Sequence, residues 1–154
     1  MSIYIVKIID NYTIFTYDIV MKQKYKTLNH EKFKIRYHII FSTKYRRKCL
    51  NEIRIDLLNS MKRAESLQNK WKIEIMEIDK DHIHFLISAT PTNCIYKIIH
   101  SLKQISTYDM WKLHHDWLSK FYWKKHHLWT RGYFCTTIGE VSEEKIKHYI
   151  ENQG

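Results

Sequence analysis

Glycine and proline are nearly missing from this chain, and 3 Gly with 1 Pro in 154 residues leave no material for a long flexible linker. Cysteine is almost as sparse. Cys49, Cys94 and Cys135 are odd in number, far apart and free of any Cys-x-x-Cys, which fits neither a disulfide framework nor a zinc ribbon. Reduced thiols in a cytoplasm are expected. No run approaches the roughly 18 apolar residues of a membrane span, and the N-terminus lacks the layout of a signal peptide, so a soluble intracellular protein without a membrane partner is expected. Acidic residues are also in deficit. The 16 Asp+Glu stand against 26 Lys+Arg, for a formal charge of +10.

What is present complements that charge. Aromatics make up 14% of the chain, with 5 Trp and 11 Tyr, and cations mixed with flat rings suit a nucleic-acid binder that neutralises phosphates and stacks on unpaired bases. An anionic membrane surface would attract the same charge, but no basic amphipathic helix with a broad apolar face stands out. Hydrophobic residues at 44% are enough for one core, and the length is that of one domain.

Residues 1–30 read as an N-terminal extension without an assigned role, and residues 31–154 as the functional domain. Within the extension, Ile3-Tyr4-Ile5-Val6 and Thr13-Ile14-Phe15-Thr16-Tyr17 alternate around Asp10-Asn11 in the manner of a β-hairpin. A polar, lysine-rich segment follows from Met21. From Lys34 the pattern sharpens: Ile35, Tyr37, Ile39 and Phe41 alternate with Lys34, Arg36, His38 and Ser42, which predicts a strand with one buried face. It runs into Lys44-Tyr45-Arg46-Arg47-Lys48, a cation cluster around one ring. An isolated run of this kind is usually a solvated loop, but after a sheet strand in a basic protein it reads as a phosphate-contacting edge.

Leu50, Ile53, Leu57, Met61, Ala64 and Leu67 recur at steps of three and four and predict a helix over 50–68. Trp71 to Asp79 alternates as a second strand, Lys80-Asp81 makes a tight connection, and a third strand follows from His82. Thr90-Pro91-Thr92-Asn93 breaks the sheet and offers caps to a second helix with Ile95, Ile98, Ile99, Leu102 and Ile105 on its core face. Lys103 lies on that helix's polar face, among residues facing either solvent or backbone phosphates. Leu128 to Thr137, carrying Arg131, reads as a fourth strand with a bulge at Gly132, ended by Gly139. Ser142, Glu143 and Glu144 open a last helix. The order strand, helix, strand, strand, helix, strand is the split β-α-β unit of an α+β, ferredoxin-like (RRM-like) fold. That fold is an antiparallel sheet with two helices on one face, here followed by a C-terminal helix.

The stretch Asp81-His82-Ile83-His84-Phe85-Leu86-Ile87-Ser88 carries the first chemical signal. Alternation sends Ile83, Phe85 and Ile87 towards the helices and leaves His82 and His84 side by side on the open face. Two such imidazoles are either polar residues on a solvated face or ligands for one cation. On the last helix, Tyr149 and Gln153 are one turn apart on the stripe Ile146, Tyr149, Ile150, Gln153. A tyrosine there is more often a packing residue, whereas a glutamine is a poor core residue whose carbonyl needs a partner. A helix laid across the open face would let Gln153 complete a His82, His84, Gln153 set and bring Tyr149 near the ion. The histidine pairs His114-His115 and His126-His127 have adjacent side chains that diverge, so surface or partner contacts suit them better than ligation.

Five motifs in order, Tyr37-His38-Ile39-Ile40-Phe41-Ser42-Thr43-Lys44-Tyr45-Arg46-Arg47, Asp81-His82-Ile83-His84-Phe85-Leu86, Leu102-Lys103, Leu128-Trp129-Thr130-Arg131-Gly132-Tyr133-Phe134 and Tyr149-Ile150-Glu151-Asn152-Gln153, resemble the small single-tyrosine HUH transposases of prokaryotic insertion sequences, the IS200-like family. The resemblance covers roughly residues 34 to 153. It implies a homodimer that excises and inserts single-stranded DNA, recognises hairpins near the element's ends, and forms a 5′-phosphotyrosine on Tyr149. It also implies Mg or Mn held by His82, His84 and Gln153, with active sites that the partner's tyrosine helix can complete in trans. DNA contacts are expected from Lys44, Tyr45, Arg46, Arg47, Lys103 and Arg131. Tyr133 is the competing nucleophile, but without a ligand partner at helical spacing it reads as a packing or base-stacking residue. A noncatalytic nucleic-acid-binding module on the same fold is the alternative from another class, and a domesticated relative acting on host repeats is the nearer one.

Overall fold

Alternating apolar residues in two strands and a three-to-four stripe on two helices generate the architecture. The computed structural model describes residues 26–28, 31–68, 70–123 and 126–138. Its elements are β1 (Lys26–Leu28), β2 (Glu31–Phe33), β3 (Ile35–Ser42), a 3-10 turn (Lys44–Arg46), α1 (Arg54–Gln68), β4 (Lys72–Ile78), β5 (His82–Ala89), α2 (Ile95–Leu113), α3 (His115–Ser119) and β6 (Phe134–Thr137). The expected hairpin within residues 1–20, the strand end at Gly139 and the helix carrying Tyr149 and Gln153 lie outside the described residues.

β1 and β2 pair as a small antiparallel ladder, and the main sheet has the order β4-β5-β3-β6 with every neighbour antiparallel. Connections β3-α1-β4 and β5-α2-β6 each skip over one strand, which is the split β-α-β topology expected of the ferredoxin-like fold. One cluster joins Ile39 and Phe41 of β3, Ile73, Met76 and Ile78 of β4, and Ile83, Phe85 and Ile87 of β5 to Leu57, Met61 and Ala64 of α1 and Ile98, Ile99 and Leu102 of α2. Both helices therefore cover the same sheet face. Phe41 and Phe85 meet with ring centroids 5.1 Å apart at its centre.

Several local readings change. α1 begins at Arg54, while Leu50 and Ile53 enter the core from the preceding turn, where Ile53 O accepts from Leu57 N at 2.9 Å. Leu67, in the last turn, is 63% exposed and is not a core residue. β4 does not alternate throughout: the ladder shifts between Ile73 and Ile75, so Glu74 is extra and Met76, not Ile75, returns to the helix side. Asn93 does not cap α2. Its Oδ1 accepts from Thr90 N at 2.7 Å and closes the turn instead.

Helix α2 runs to Leu113, past the last periodic residue Ile105, because Ser106, Met110 and Trp111 continue the buried stripe. The tryptophans around it each find an acceptor: Trp111 Nε1 donates to His127 O at 2.8 Å, Trp117 Nε1 to Cys49 O at 2.9 Å, and Trp129 Nε1 to Ser106 Oγ at 2.8 Å. His114 Nε2 lies 2.8 Å from Asp56 Oδ2, and the His126 ring stacks on Trp111 at 4.4 Å, so these histidines secure the helix end. No helix among the described residues is long and apolar enough to cross a membrane.

The expected fourth strand is interrupted. Trp129 forms a bridge to Thr43 and Thr130 N donates to Ser42 O at 2.9 Å, but regular pairing resumes only at Phe134. Between them the carbonyls of Thr130, Arg131 and Gly132 turn to the ammonium of Lys103, at 2.9, 3.3 and 2.8 Å.

Candidate active site

β5 is an interior strand, paired with β3 on one side and β4 on the other, so its backbone is fixed from both edges. Opposite the helix-packed face, His82 pairs with Ser42 and His84 with Ile40 of β3. The two imidazoles are neighbours as expected, with ring centroids 5.0 Å apart. This face is not bare: His84 is 6% exposed and His38 5%, while Leu86 packs with Ile75 and Ile138. His82 is the more accessible of the two imidazoles, its side chain 19% exposed.

Each imidazole has a support. His82 Nδ1 lies 2.7 Å from Asp81 Oδ1 and 3.7 Å from Asp79 Oδ2. A carboxylate there holds the proton on Nδ1 and leaves the Nε2 lone pair for a cation. His84 Nδ1 lies 3.3 Å from Nε2 of His38. Burial, reinforced by the imidazoles of His82 and His38, lowers His84 to about 4, so it is neutral and ligand-competent at neutral pH. Burial likewise lowers His38.

The donor set suits a divalent ion. Ligand atoms of Asp79, Asp81 and His82 all lie within 4.8 Å of one another, so carboxylate oxygens stand beside the imidazole pair, and this oxygen-plus-imidazole chemistry suits a divalent ion such as Mg or Mn. Asp81 was legible as part of the motif, but its partnership with His82 was not. His38 is legible as an alternating polar position and as part of the first motif, but its contact with His84 is not.

The basic loop is tied to the same corner. Thr43 N and Oγ1 donate to Asp81 O at 2.9 and 3.2 Å. Tyr45 and Arg46 then take left-handed backbone angles, φ 59° and 54°, each costing about 1–2 kcal/mol for a residue with a β-carbon. This turn throws the Tyr45 ring outward, 69% exposed, and folds Arg46 back so that its Nε meets Asp81 Oδ2 at 3.0 Å. Arg46 therefore supports the carboxylate that supports His82. Lys44 Nζ sits 5.1 Å from the centre of the Tyr45 ring, and Arg47 is exposed.

Lys103 is placed differently from expectation. Its ammonium donates to the three carbonyls of residues 130–132 and lies over the rings of Phe41 and Tyr133, at 5.2 and 5.5 Å. Burial lowers it to about 8, which still leaves it charged at neutral pH. It shapes the excursion on which Arg131 and Tyr133 are exposed. Tyr149 and Gln153 lie outside the described residues.

Residues 31–153 match the family model described as "Transposase IS200 like". The chain is 31% identical over 121 residues to the ISDra2 transposase TnpA of Deinococcus radiodurans, covering 79% of this chain and 85% of that one. It is 30% identical over 131 residues to the transposase for insertion sequence element IS200 of Salmonella typhimurium, covering 83% and 82%. Among solved structures, one described as a transposase from Deinococcus radiodurans superimposes with a TM-score of 0.67 at 29% identity, covering 83% of this chain and 97% of that one. A REP-associated tyrosine transposase bound to a REP hairpin shares the fold, with a TM-score of 0.54 at 10% identity, covering 82% and 68%. With the family model spanning most of its length, the chain belongs to the IS200-like transposases.

Proposed function

We propose that this transposase cleaves and rejoins single-stranded DNA at the ends of an insertion sequence, with Tyr149 as nucleophile and His82, His84 and Gln153 holding Mg or Mn. The observation that carries the reading is the imidazole pair of β5 on the sheet face away from the helices, with Asp81 bonded to one ring. The bound ion would supply charge stabilisation at the scissile phosphate.

The Tyr149 oxygen attacks the scissile phosphorus while the bond from phosphorus to the 3′ oxygen breaks. The phenol proton leaves to a base, the 3′ oxygen takes up a proton as a free hydroxyl, and the 5′ phosphate stays on Tyr149. One phosphodiester replaces another, so the reverse attack rejoins strands without an external energy source. Asp81 and Arg46 keep His82 oriented through this cycle, and neutral His84 offers a lone pair rather than a proton.

Lys44, Arg47 and Arg131 border the DNA path, with Tyr45 as a stacking ring. Hairpins near the element's ends are the recognised feature, a reading supported by the REP hairpin bound to the REP-associated relative. The family resemblance supports a homodimer as the working unit, in which Tyr149 can serve either its own subunit's site or the partner's.

The test mixes purified protein, Mn2+ or Mg2+ and single-stranded DNA carrying candidate hairpins, and looks for a denaturant-resistant adduct. The adduct is expected to vanish in Tyr149→Phe and persist in Tyr133→Phe, and the reverse pattern overturns the assignment. Hairpin binding without any adduct is the behaviour of a noncatalytic module.

A further inference from the structure

His38 stands outside the ligand set, yet its ring occupies a defined place beside it. On the antiparallel β3–β5 pair it lies opposite Leu86, diagonal to His84. The His38 and His84 rings are nearly parallel, 13° apart, with centroids 5.5 Å from each other, while Nε2 of His38 is 3.3 Å from Nδ1 of His84. The centroid distance exceeds the N···N distance by about twice a ring's radius, so the rings meet edge to edge and the shared hydrogen lies in both planes. Phe134 packs against the far side of His38, with centroids 5.9 Å apart at 69°. Both rings are buried, and a buried polar edge without a partner is costly.

We propose that His38 is a positioning residue for metal binding: its Nε2 lone pair accepts the Nδ1 hydrogen of His84, which turns the Nε2 lone pair of His84 to the cation. This rests on the metal reading given above. A hydrogen bond between two neutral imidazoles admits only two arrangements, and only one of them leaves His84 Nε2 unprotonated. In that arrangement both rings carry their hydrogen on Nδ1. The two ligands are then supported unequally, His82 by an anion at the accessible end of the strand and His84 by a neutral ring where a second buried charge would be expensive.

The experiment has two arms on the full chain. In the first, metal-free protein labelled with 15N-histidine is examined by NMR for tautomers. His38 and His84 are expected both to be protonated on Nδ1, and His84 protonated on Nε2 overturns the proposal without any substitution. In the second, Mn2+ affinity is titrated by electron paramagnetic resonance of the free ion. His38→Phe is expected to weaken binding about 10–100-fold, as loss of a ligand's supporting partner typically does. His38→Gln, whose carboxamide oxygen reaches the position of Nε2, is expected to restore most of it. Equal affinity in wild type and His38→Phe overturns the proposal, as does Gln failing as badly as Phe. If wild type itself binds no Mn2+, the metal reading fails and this proposal with it, a result separate from a defect confined to the variants.

Discussion

Replacing Asp81 by Asn is the sharpest way to separate the chemistry of this site from its folding. One carboxylate oxygen lies 2.7 Å from His82 Nδ1 and the other 3.0 Å from Arg46 Nε, while the backbone carbonyl of Asp81 independently holds Thr43. The Arg46 side chain is 60% exposed, so the ion pair contributes no more than about 1 kcal/mol to stability, and Thr43 is unaffected by the substitution. Urea melts without metal should therefore shift by about 1 kcal/mol or less. The loss for a cation should be larger. Removing the partner of a ligating histidine typically lowers metal affinity about 10–100-fold, or about 1.4–2.7 kcal/mol. Asn, which still offers an acceptor oxygen, should fall at the lower end, and Asp81→Ala at the upper. The assay is a Mn2+ titration by calorimetry alongside the melts. Unchanged Mn2+ affinity in both variants would refute the reasoning, and so would a stability loss of several kcal/mol, which would make Asp81 a folding residue.

Burial and the neighbouring imidazoles lower His84 from 6.5 to about 4, so the unfolded chain takes up a proton there before the folded chain does. The stability owed to neutral His84 is complete above about pH 6.5 and is lost as pH falls towards about 4; urea melts of metal-free protein should show this loss, reduced in His84→Gln. Lys103→Met strips the donor from the carbonyls of Thr130, Arg131 and Gly132 and should cost about 1–3 kcal/mol, with faster hydrogen exchange in that segment. Unaltered exchange would mean that water serves those carbonyls equally well. Arg47→Gln and Arg131→Gln should each flatten the dependence of log affinity on log salt by about 0.7 for a single strand. A slope that stays put places that guanidinium in solvent rather than on a phosphate.

Much of this was written in short-range patterns. Period-two alternation in Ile35–Phe41 and His82–Ile87 located two strands and put the imidazole pair on the face away from the helices. The stripe Leu57, Met61, Ala64 located a helix, but periodicity does not tell where the surface it packs on ends, and Leu67 continues the stripe into solvent. The extra residue Glu74 in β4 left no mark in composition. The break between Trp129 and Phe134 depends on Lys103, nearly thirty residues earlier, and a lysine on a helix's polar face looks the same whether it meets phosphate or three carbonyls. His38 was hidden for a related reason: its contact with His84 spans 46 residues and exists only once β3 and β5 are known to be neighbours. Asp81 sits in plain view beside His82, yet it is the left-handed turn at Tyr45 and Arg46, invisible in the sequence, that brings Arg46 onto it.

The middle position of β5 makes folding and the placement of its imidazole pair inseparable. Its odd-numbered residues anchor the hydrophobic interior and its even-numbered ones present the imidazoles, so a slip of one residue against β3 would exchange the two sets at a stroke. Histidines would then be forced among leucines and isoleucines while Ile83, Phe85 and Ile87 faced outward, a state too costly to populate. The apolar half of the strand thus acts as a proofreader for the polar half: any molecule that has folded has already aimed its imidazoles.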